Sequence, residues 1–409
     1  MYHNFVVHKS FKSLTAVKWI SLFIIIFVVN HFASWPILRF SGVSNGGPFF
    51  GDLRIVLASA DCADRIGESI YSANCGYIYG SWLIRIIQLI GLGEAQSQIL
   101  GWVFLFAIGV FLGCLVANLA IVSVRVLLLA LLVFTSPPIL LMVERSNIDM
   151  LIIAILVFCA LCVSRGWIVN AIGLVVVASI FKFYPAPLLL WFFVSSSRWL
   201  HKLIAALSIL LICFQITHDL NQMSADIPKT TYAAFGNLVF AIYLESFGYT
   251  TNLFVQNGIG LLLVFLCAVV IYVLEKCNVL TLPRSANIFK CDSYTDAVFV
   301  IFSLVFLACF FAGTSHDYRL ILLIVPALIL ISHTSTNSTT NTLLSASLFF
   351  ASWGSWISVF QPIGDVAIAM WCAVLLRCLF AETISELVRS PRRRATKSTE
   401  EFADTTQQW

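Results

Sequence analysis

The chain has 409 residues, of which 60% are hydrophobic and only 11% are charged, and its mean hydropathy is +0.95. Soluble domains carry roughly 25% charged residues, so this composition excludes a water-soluble globule and indicates a polytopic membrane protein. The formal net charge is +4, with the basic residues at the two ends and in short loops. No basic stripe suits a nucleic-acid backbone, and we expect no nucleic-acid partner.

Apolar runs long enough to cross a bilayer define the predicted elements. A helix needs roughly 20 apolar residues to span the membrane, and runs of about that length recur along the chain. They begin near Lys18, Ser97, Ile121, Ile148, Leu203, Leu253, Ala297, Leu320, Leu343 and Val366. The first run lacks a cleavage-site pattern and is expected to be a retained signal anchor. The sequence therefore predicts an all-α bundle of about 10–12 transmembrane helices forming one domain, residues 1–390.

The stretch from Trp167 to Val194 is apolar but is interrupted by Lys182 and two prolines. It is either one kinked span or two short helices. The positive-inside rule places both basic termini in the cytoplasm, which requires an even number of spans. We therefore favour a broken pair, about twelve spans in all, with Lys182 at the outer tip of the pair. Residues 391–409 are predicted to be a disordered cytoplasmic tail.

This topology gives the outer face a long first loop, residues 39–96. Asp52 lies near its start, beside two aromatic residues and Gly51. A carboxylate at a membrane interface is a candidate general base, because a base must meet its substrate within hydrogen-bond distance. Asp61 and Asp64 are rivals, but a solvated helix face explains them without a function.

The cysteines indicate at most one disulfide. Most of the twelve fall inside apolar runs, where they behave as small hydrophobes. Cys62 and Cys75 instead share the polar first loop, and a disulfide between them is favoured over two free thiols if the loop faces an oxidising compartment. The pair Cys159 and Cys162 has no second Cys or His pair at zinc spacing, so no metal site is predicted.

A second polar cluster, Glu144 to Asp149, separates two apolar spans. Ser146 or Asn147 could be an ordinary helix cap, and the helix dipole favours an acid at a helix start. Yet Asp149 begins an otherwise apolar run, and ionisable groups at membrane depth usually mark a site. We expect Arg145 and Asp149 to belong to a site, whereas capping and a site role are equal alternatives for Asn147.

Two further cations lie in polar breaks. Lys182 is surrounded by aromatic residues where the helix must break, and it could simply extend to the membrane surface. Because freed backbone groups at such depth line a cavity or are buried in protein, we favour phosphate binding by Lys182. Arg319 offers a fork suited to phosphate, with Asp317 as a residue that could orient it. The alternative for Arg319 is an ion pair that closes a helix turn.

Other reaction classes lack their motifs. The sequence contains neither G-x-S-x-G nor a phosphate-binding P-loop, so it gives no support to serine hydrolysis or ATP hydrolysis. A loop at residues 218–252 carries aromatic residues that could stack on sugar rings, although aromatic residues are common at any membrane interface. These residues are Tyr232, Phe235, Tyr243 and Tyr249.

Four motifs carry a resemblance to a known family. They are Gly51-Asp52-Leu53-Arg54, Arg145-Ser146-Asn147-Ile148-Asp149-Met150-Leu151, Phe181-Lys182-Phe183-Tyr184-Pro185 and His316-Asp317-Tyr318-Arg319-Leu320. In their order and spacing they resemble glycosyltransferase family 87 of the GT-C superfamily, whose members are polytopic, polyprenyl-phosphate-sugar-dependent mannosyltransferases. The resemblance extends from Phe50 to Pro326. Family members commonly have Gly where this chain has Ser146.

The resemblance implies a GT-C-like fold and an inverting hexosyltransferase, most often a mannosyltransferase, with Asp52 as the catalytic base. By the same resemblance, Lys182 and Arg319 bind the donor phosphate, and Asn147 and Asp149 bind sugar or acceptor. To these sets we add Arg145 for the phosphate, and Tyr184 and Asp317 for the sugar or acceptor. No cofactor is expected because Lys and Arg supply the positive charge, although the acidic groups leave a weakly held divalent ion as an alternative.

The expected partners are a polyprenyl-phosphate sugar, a lipid or glycan acceptor, and membrane lipids. The expected location is the plasma membrane, with both termini in the cytoplasm and the active site on the outer face. The rival interpretation is a transporter or flippase for a lipid-linked or anionic solute, which many spans, a broken helix and buried charges would suit equally. Against the rival, no second copy of the Lys182 break is found. A polymerase or ligase of lipid-linked glycans would share the donor chemistry.

Overall fold

The structure, a computed structural model, describes fifteen parts of the chain. They are residues 2–33, 50–66, 75, 81–119, 123–222, 234–236, 238–239, 242, 245, 253–283, 291, 293–312, 315–334, 338–354 and 360–380. The predicted tail at 391–409 lies outside these parts, as do Tyr232, Tyr243 and Tyr249 of the aromatic loop. The described residues are almost wholly helical, which agrees with the predicted all-α class.

Fifteen helices occur in the described parts of the chain. They are α1 (Tyr2–Ala33), α2 (Gly51–Ile66), α3 (Ser81–Leu89), α4 (Ser97–Leu119), α5 (Val124–Phe134), α6 (Pro137–Glu144), α7 (Asp149–Ser164), α8 (Ile168–Phe181), α9 (Pro187–Ser195), α10 (Trp199–Gln222), α11 (Leu253–Lys276), α12 (Tyr294–Phe311), α13 (Ile321–His333), α14 (Ser338–Trp353) and α15 (Gln361–Phe380). Two 3₁₀ turns, Glu94–Gln96 and Asp317–Leu320, precede α4 and α13. The two-residue strands β1 (Ala234–Phe235) and β2 (Ser315–His316) pair antiparallel.

Several described helices qualify as membrane spans by length and composition. Five are long and apolar enough to cross a bilayer, and a sixth span results if the bent pair α5 and α6 is counted as one. Four other apolar helices have only 10–17 residues. The chain is therefore a multi-pass membrane protein. Among the described residues, fewer helices qualify than the predicted 10–12, because several predicted spans form helices of only 10–17 residues.

The stretch from Trp167 to Val194 contains two helices, as the broken-pair prediction expected. Helix α8 ends at Phe181, and Lys182 adopts an extended backbone with φ −148° and ψ 135°. Helix α9 then begins at Pro187, a position where a missing N–H costs nothing because the first turn has no internal acceptor for it. The break leaves residues 182–186 outside both helices.

The core is centred on α12 and α13. Every residue from Ile321 to Ile331 is buried, and most of α12 is buried as well. By contrast, α10 and α11 expose large apolar side chains such as Phe214 and Phe265. In a membrane protein these exposed apolar faces are satisfied by lipid, so α10 and α11 lie at the periphery of the bundle.

The first loop predicted from hydropathy contains α2 and α3. Arg54 of α2 pairs with Glu94 in the first 3₁₀ turn, and Asp61 Oδ2 accepts the Glu94 N–H at 2.9 Å. A disulfide joins Cys62 to Cys75, as the sequence predicted. Together these contacts fasten α2 to the chain that enters α4.

The disulfide gives a direct chemical test. We expect alkylation of the denatured, unreduced protein to modify the ten free cysteines and not Cys62 or Cys75. All twelve should react after reduction, as counted by intact-mass spectrometry. Changing both Cys62 and Cys75 to Ser should lower stability by about 3 kcal/mol, the usual value for a closed loop of this size. Alkylation of twelve cysteines before reduction would contradict the bond.

Candidate functional site

Two turns that are distant in sequence are bonded to each other through their backbones. The Phe50 N–H donates to the Glu144 carbonyl at 3.1 Å, and the Asp52 N–H donates to the Arg145 carbonyl at 3.2 Å. These bonds hold the first turn of α2 against the turn between α6 and α7. As a result, the Asp52 carboxylate faces the polar residues that precede α7.

Both oxygens of the Asp52 carboxylate are occupied. Arg145 Nε donates to Oδ1 at 2.6 Å, and Asn147 Nδ2 donates to Oδ2. The Asp52 side chain is only 14% exposed, whereas that of Arg145 is 40% exposed. Solvent therefore reaches this end of the site along Arg145.

Asp149 is the centre of the buried part of the site. Its side chain is 1% exposed, and its Oδ1 lies 2.8 Å from Lys182 Nζ. Tyr184 donates its hydroxyl to the same oxygen at 2.7 Å, and Arg319 Nε donates to Oδ2 at 3.3 Å. Arg319 also donates Nη1 to Ser315 Oγ at 2.9 Å. One buried carboxylate thus holds two cations and a phenol.

Asn147 joins the two ends of the site. Its Oδ1 accepts the Lys182 ammonium at 3.0 Å and the Asp149 backbone N–H at 3.0 Å, while its Nδ2 binds Asp52. The side chain therefore satisfies a free N–H at the start of α7 and also connects Asp52 to Lys182. The sequence left a cap and a site residue as alternatives for Asn147, and its side chain has both roles.

The structure thus brings seven of the eight predicted site residues into one hydrogen-bonded network. They are Asp52, Arg145, Asn147, Asp149, Lys182, Tyr184 and Arg319. Three cations and two carboxylates give this network one net positive charge. Because most of it is shielded from water, that charge acts in a low dielectric and favours an anionic ligand.

An aromatic contact adds to this arrangement. The Arg319 guanidinium carbon lies 5.0 Å from the centre of the Tyr184 ring, a cation–π distance. Tyr184 belongs to the break after α8, and Arg319 belongs to the 3₁₀ turn before α13. The contact therefore fixes the planar guanidinium between two elements that meet only at the site.

Other predicted residues lie elsewhere. The side chain of Asp317 is outside the described residues, and Arg319 is oriented by Asp149 and Ser315. Asp61 binds the turn before α4, and the side chain of Asp64 is not among those described. Phe235 is buried and stacks on Phe306 at 5.7 Å, so its packing does not support the predicted sugar-stacking role.

Sequence reasoning missed the backbone geometry that shapes the site. Phe50 and Ser146 both have left-handed backbones, with φ 57° and 43°. Such a conformation is unfavourable for a residue with a Cβ, which explains why Gly suits the position that Ser146 occupies here. Both residues also rest on Gly101 of α4: Ser146 Oγ donates to its carbonyl at 3.3 Å, and a Cβ at Gly101 would overlap the Phe50 ring.

Comparisons with protein-family models, with curated proteins and with solved structures find no match to this chain. Among the described residues, no group of three or more His, Cys, Asp or Glu side chains is placed to hold a metal ion.

Replacing Asp149 by Asn should destabilise the protein strongly. The buried Lys182 and the part-buried Arg319 would lose their counter-charge, and breaking a buried ion pair in this way typically costs about 3–5 kcal/mol. Asp296 is the matched control, because it also lies in the first turn of a helix but is exposed. We expect Asp296→Asn to cost less than about 1 kcal/mol, the usual value for a helix-dipole contact. Equal losses of stability for the two variants in thermal unfolding would contradict the buried ion pair and would leave Asp149 only the role of an acidic residue at a helix start.

Replacing Gly101 by Ala should cost about 1–3 kcal/mol through overlap with the Phe50 ring. Gly173 of α8 is the control, since a Cβ there meets no atom within 4 Å and Ala is the better helix former. In thermal unfolding we expect Gly173→Ala to be neutral or stabilising. The double variant Gly101→Ala with Phe50→Ala should lose less stability than the two single losses combined, and strict additivity would argue against the contact.

Proposed function

We propose that the protein is an integral membrane glycosyltransferase of the GT-C type. It transfers a hexose, with mannose as the leading candidate, from a polyprenyl-phosphate sugar to a lipid or glycan acceptor. One observation carries the proposal: a largely shielded carboxylate, Asp52, lies at one end of a mostly buried network with a net positive charge. A sugar phosphate needs this combination, a base for the incoming hydroxyl and cations for the departing phosphate. The resemblance to glycosyltransferase family 87 supports the same assignment.

In the proposed reaction, the acceptor hydroxyl oxygen attacks the anomeric carbon and its proton passes to Asp52. The bond from that carbon to the phosphate oxygen breaks, and the electron pair stays on the lipid phosphate. Attack on the side opposite the leaving group inverts the anomeric carbon. Arg145 and Asn147 each donate to one Asp52 oxygen, and a carboxylate oxygen can accept a second hydrogen bond, so both can stay in place while Asp52 accepts the hydroxyl proton. The hydroxyl would approach from the side of Arg145, which is the more exposed of the two.

Lys182 and Arg319 are the proposed phosphate ligands, because both are cations held at a fixed position. Asp149 has another role than the sugar or acceptor contact expected at first. Its oxygens are taken by Lys182, Tyr184 and Arg319, and its side chain is buried. We therefore assign Asp149 to the positioning of the two cations. Asn147 keeps its place near the sugar, between Asp52 and Lys182.

The proposed location is the non-cytoplasmic face of the plasma membrane, with both termini inside. The support is the distribution of basic residues near the chain ends and in the short loops, which follows the positive-inside rule. The donor and the acceptor would then both be drawn from the outer leaflet.

A transporter or flippase is the second candidate, and one feature favours it. A second broken element exists, because α5 and α6 meet at 52° within four residues of each other. Transporters often bind their solutes where two such broken helices meet. The break between α5 and α6 carries Thr135 and Ser136 in place of a cation, so it does not repeat the chemistry of the Lys182 break.

The test is transfer of radiolabelled mannose from synthetic polyprenyl-phosphate mannose by purified protein in detergent, with a membrane lipid extract as acceptor. We expect product from the wild type and at least about 100-fold less from Asp52→Asn, the usual loss for a general base. Asp61→Asn is the matched control, because Asp61 lies on the same helix and its Oδ2 accepts the Glu94 N–H, a bond that the oxygen of Asn can also accept. Its activity should match the wild type.

The outcomes separate the candidates. Equal amounts of product from the wild type and Asp52→Asn would support the glycosyltransferase and exclude Asp52 as its general base. The transferase hypothesis would be rejected in favour of the flippase if no product formed with mannose, glucose or galactose donors and the labelled lipid moved across the membrane of proteoliposomes.

A further inference from the structure

A second cavity lies between α3, α8 and α10 and shares no residue with the network around Asp149. Its volume is about 170 Å³. Sites that enclose a whole small molecule usually measure about 300 Å³ or more, so this cavity suits one segment of a longer ligand. The side chains that matter are Trp82, Arg85, Leu211, Phe214 and Gln215.

The cavity opens sideways to the bilayer. Helix α10 is a membrane span with few buried residues, and Phe214 on its cavity side is 73% exposed. Leu211 and Trp82 are each about half exposed. Since exposed apolar side chains on a spanning helix face lipid, the occupant enters from the membrane and carries an apolar chain.

One end of the cavity is polar. Along one face of α10, Leu211 and Phe214 are followed by Gln215 and His218 at helical spacing. The fully buried Asp219 accepts the Ser81 N–H at 3.2 Å and the Ser81 hydroxyl at 2.7 Å, which fixes the start of α3 against this end of α10. The cavity is therefore lined mostly by apolar atoms, and its few polar side chains lie toward one end, as an amphiphilic ligand requires.

Arg85 supplies the charge. It lies one turn after Ser81, is exposed and lines the cavity. Within the described parts of the chain, Arg85 forms no ion pair with a carboxylate, unlike Arg145, Arg319 and Arg377. A guanidinium beside an apolar cavity that opens to lipid matches a phosphate headgroup in geometry and in charge.

We propose that this cavity binds an anionic phospholipid of the bilayer, with the phosphodiester at Arg85 and the start of an acyl chain along Leu211 and Phe214. This lipid is a second ligand, separate from any sugar donor, because the cations of the Asp149 network are held elsewhere. Ile180 lines the cavity two residues before Lys182, so the bound lipid packs against the end of α8 that presents Lys182. The proposal goes beyond glycosyl transfer and does not depend on it.

The test is native mass spectrometry of the purified protein titrated with phosphatidylglycerol. We expect the wild type to retain one lipid, and Arg85→Gln to bind it at least tenfold more weakly. Leu211→Trp, which fills the cavity and keeps the charge, should lose binding to a similar extent. Arg125→Gln is the matched control, because Arg125 is also an exposed arginine at the start of a helix. It should bind as the wild type does.

Headgroup comparison completes the test. Phosphatidylcholine with the same chains has the phosphodiester but no net charge, and we expect weaker binding of it. Wild-type affinity in Arg85→Gln or Leu211→Trp, or equal binding of both lipids by the wild type, would overturn the proposal. Preferential binding of polyprenyl phosphate would assign the cavity to the donor and would likewise overturn it. No arm measures transfer, so the result is independent of the transferase assay.

Discussion

The buried contact between Asp149 and Lys182 is the interaction on which the rest of the site depends. Removing two charges from water is costly, and the cost is offset only when the remaining donors and acceptors are also satisfied. Here that requires α7, the break after α8 and the turn before α13 to meet at one point, with Tyr184 and Arg319 completing the set. The carboxylate therefore determines where three elements converge. The bundle around it supplies the apolar surroundings that make the contact strong.

Asn147 couples this buried centre to Asp52. An amide has a donor side and an acceptor side, and here each side has a partner that requires it: a carboxylate on one and an ammonium on the other. Rotation of the amide would place like groups together at both ends, so its orientation is fixed. A change in charge at Lys182, such as the arrival of an anion, would be felt at Asp52 through a single side chain. Asp52 and the cations are thus parts of one electrostatic unit.

The sequence revealed the members of this unit but not their pairing. Asp149, Lys182 and Arg319 are conspicuous because ionised groups are costly among apolar residues, and the prolines after Lys182 predicted the helix break correctly. The number of spans was less predictable, because hydropathy measures composition and does not report where a helix ends. The role of Gly101 could not be predicted. In the sequence, a helical glycine that packs against a ring, as Gly101 does against Phe50, cannot be distinguished from one that faces open space, such as Gly173. The residue type did not signal the left-handed turn at Ser146, because a serine there does not differ from a serine in an ordinary turn.

The length of α7 fixes how deep the site lies. Its 16 residues extend about 24 Å, less than the roughly 30 Å of a hydrocarbon core. Arg165 at its far end, stacked on Trp167 at 5.2 Å, is a typical anchor at the membrane surface. With α7 along the membrane normal and Arg165 at one surface, Asp149 would lie about 6 Å below the other surface. A ligand of the network would then have to leave the headgroup layer to reach it.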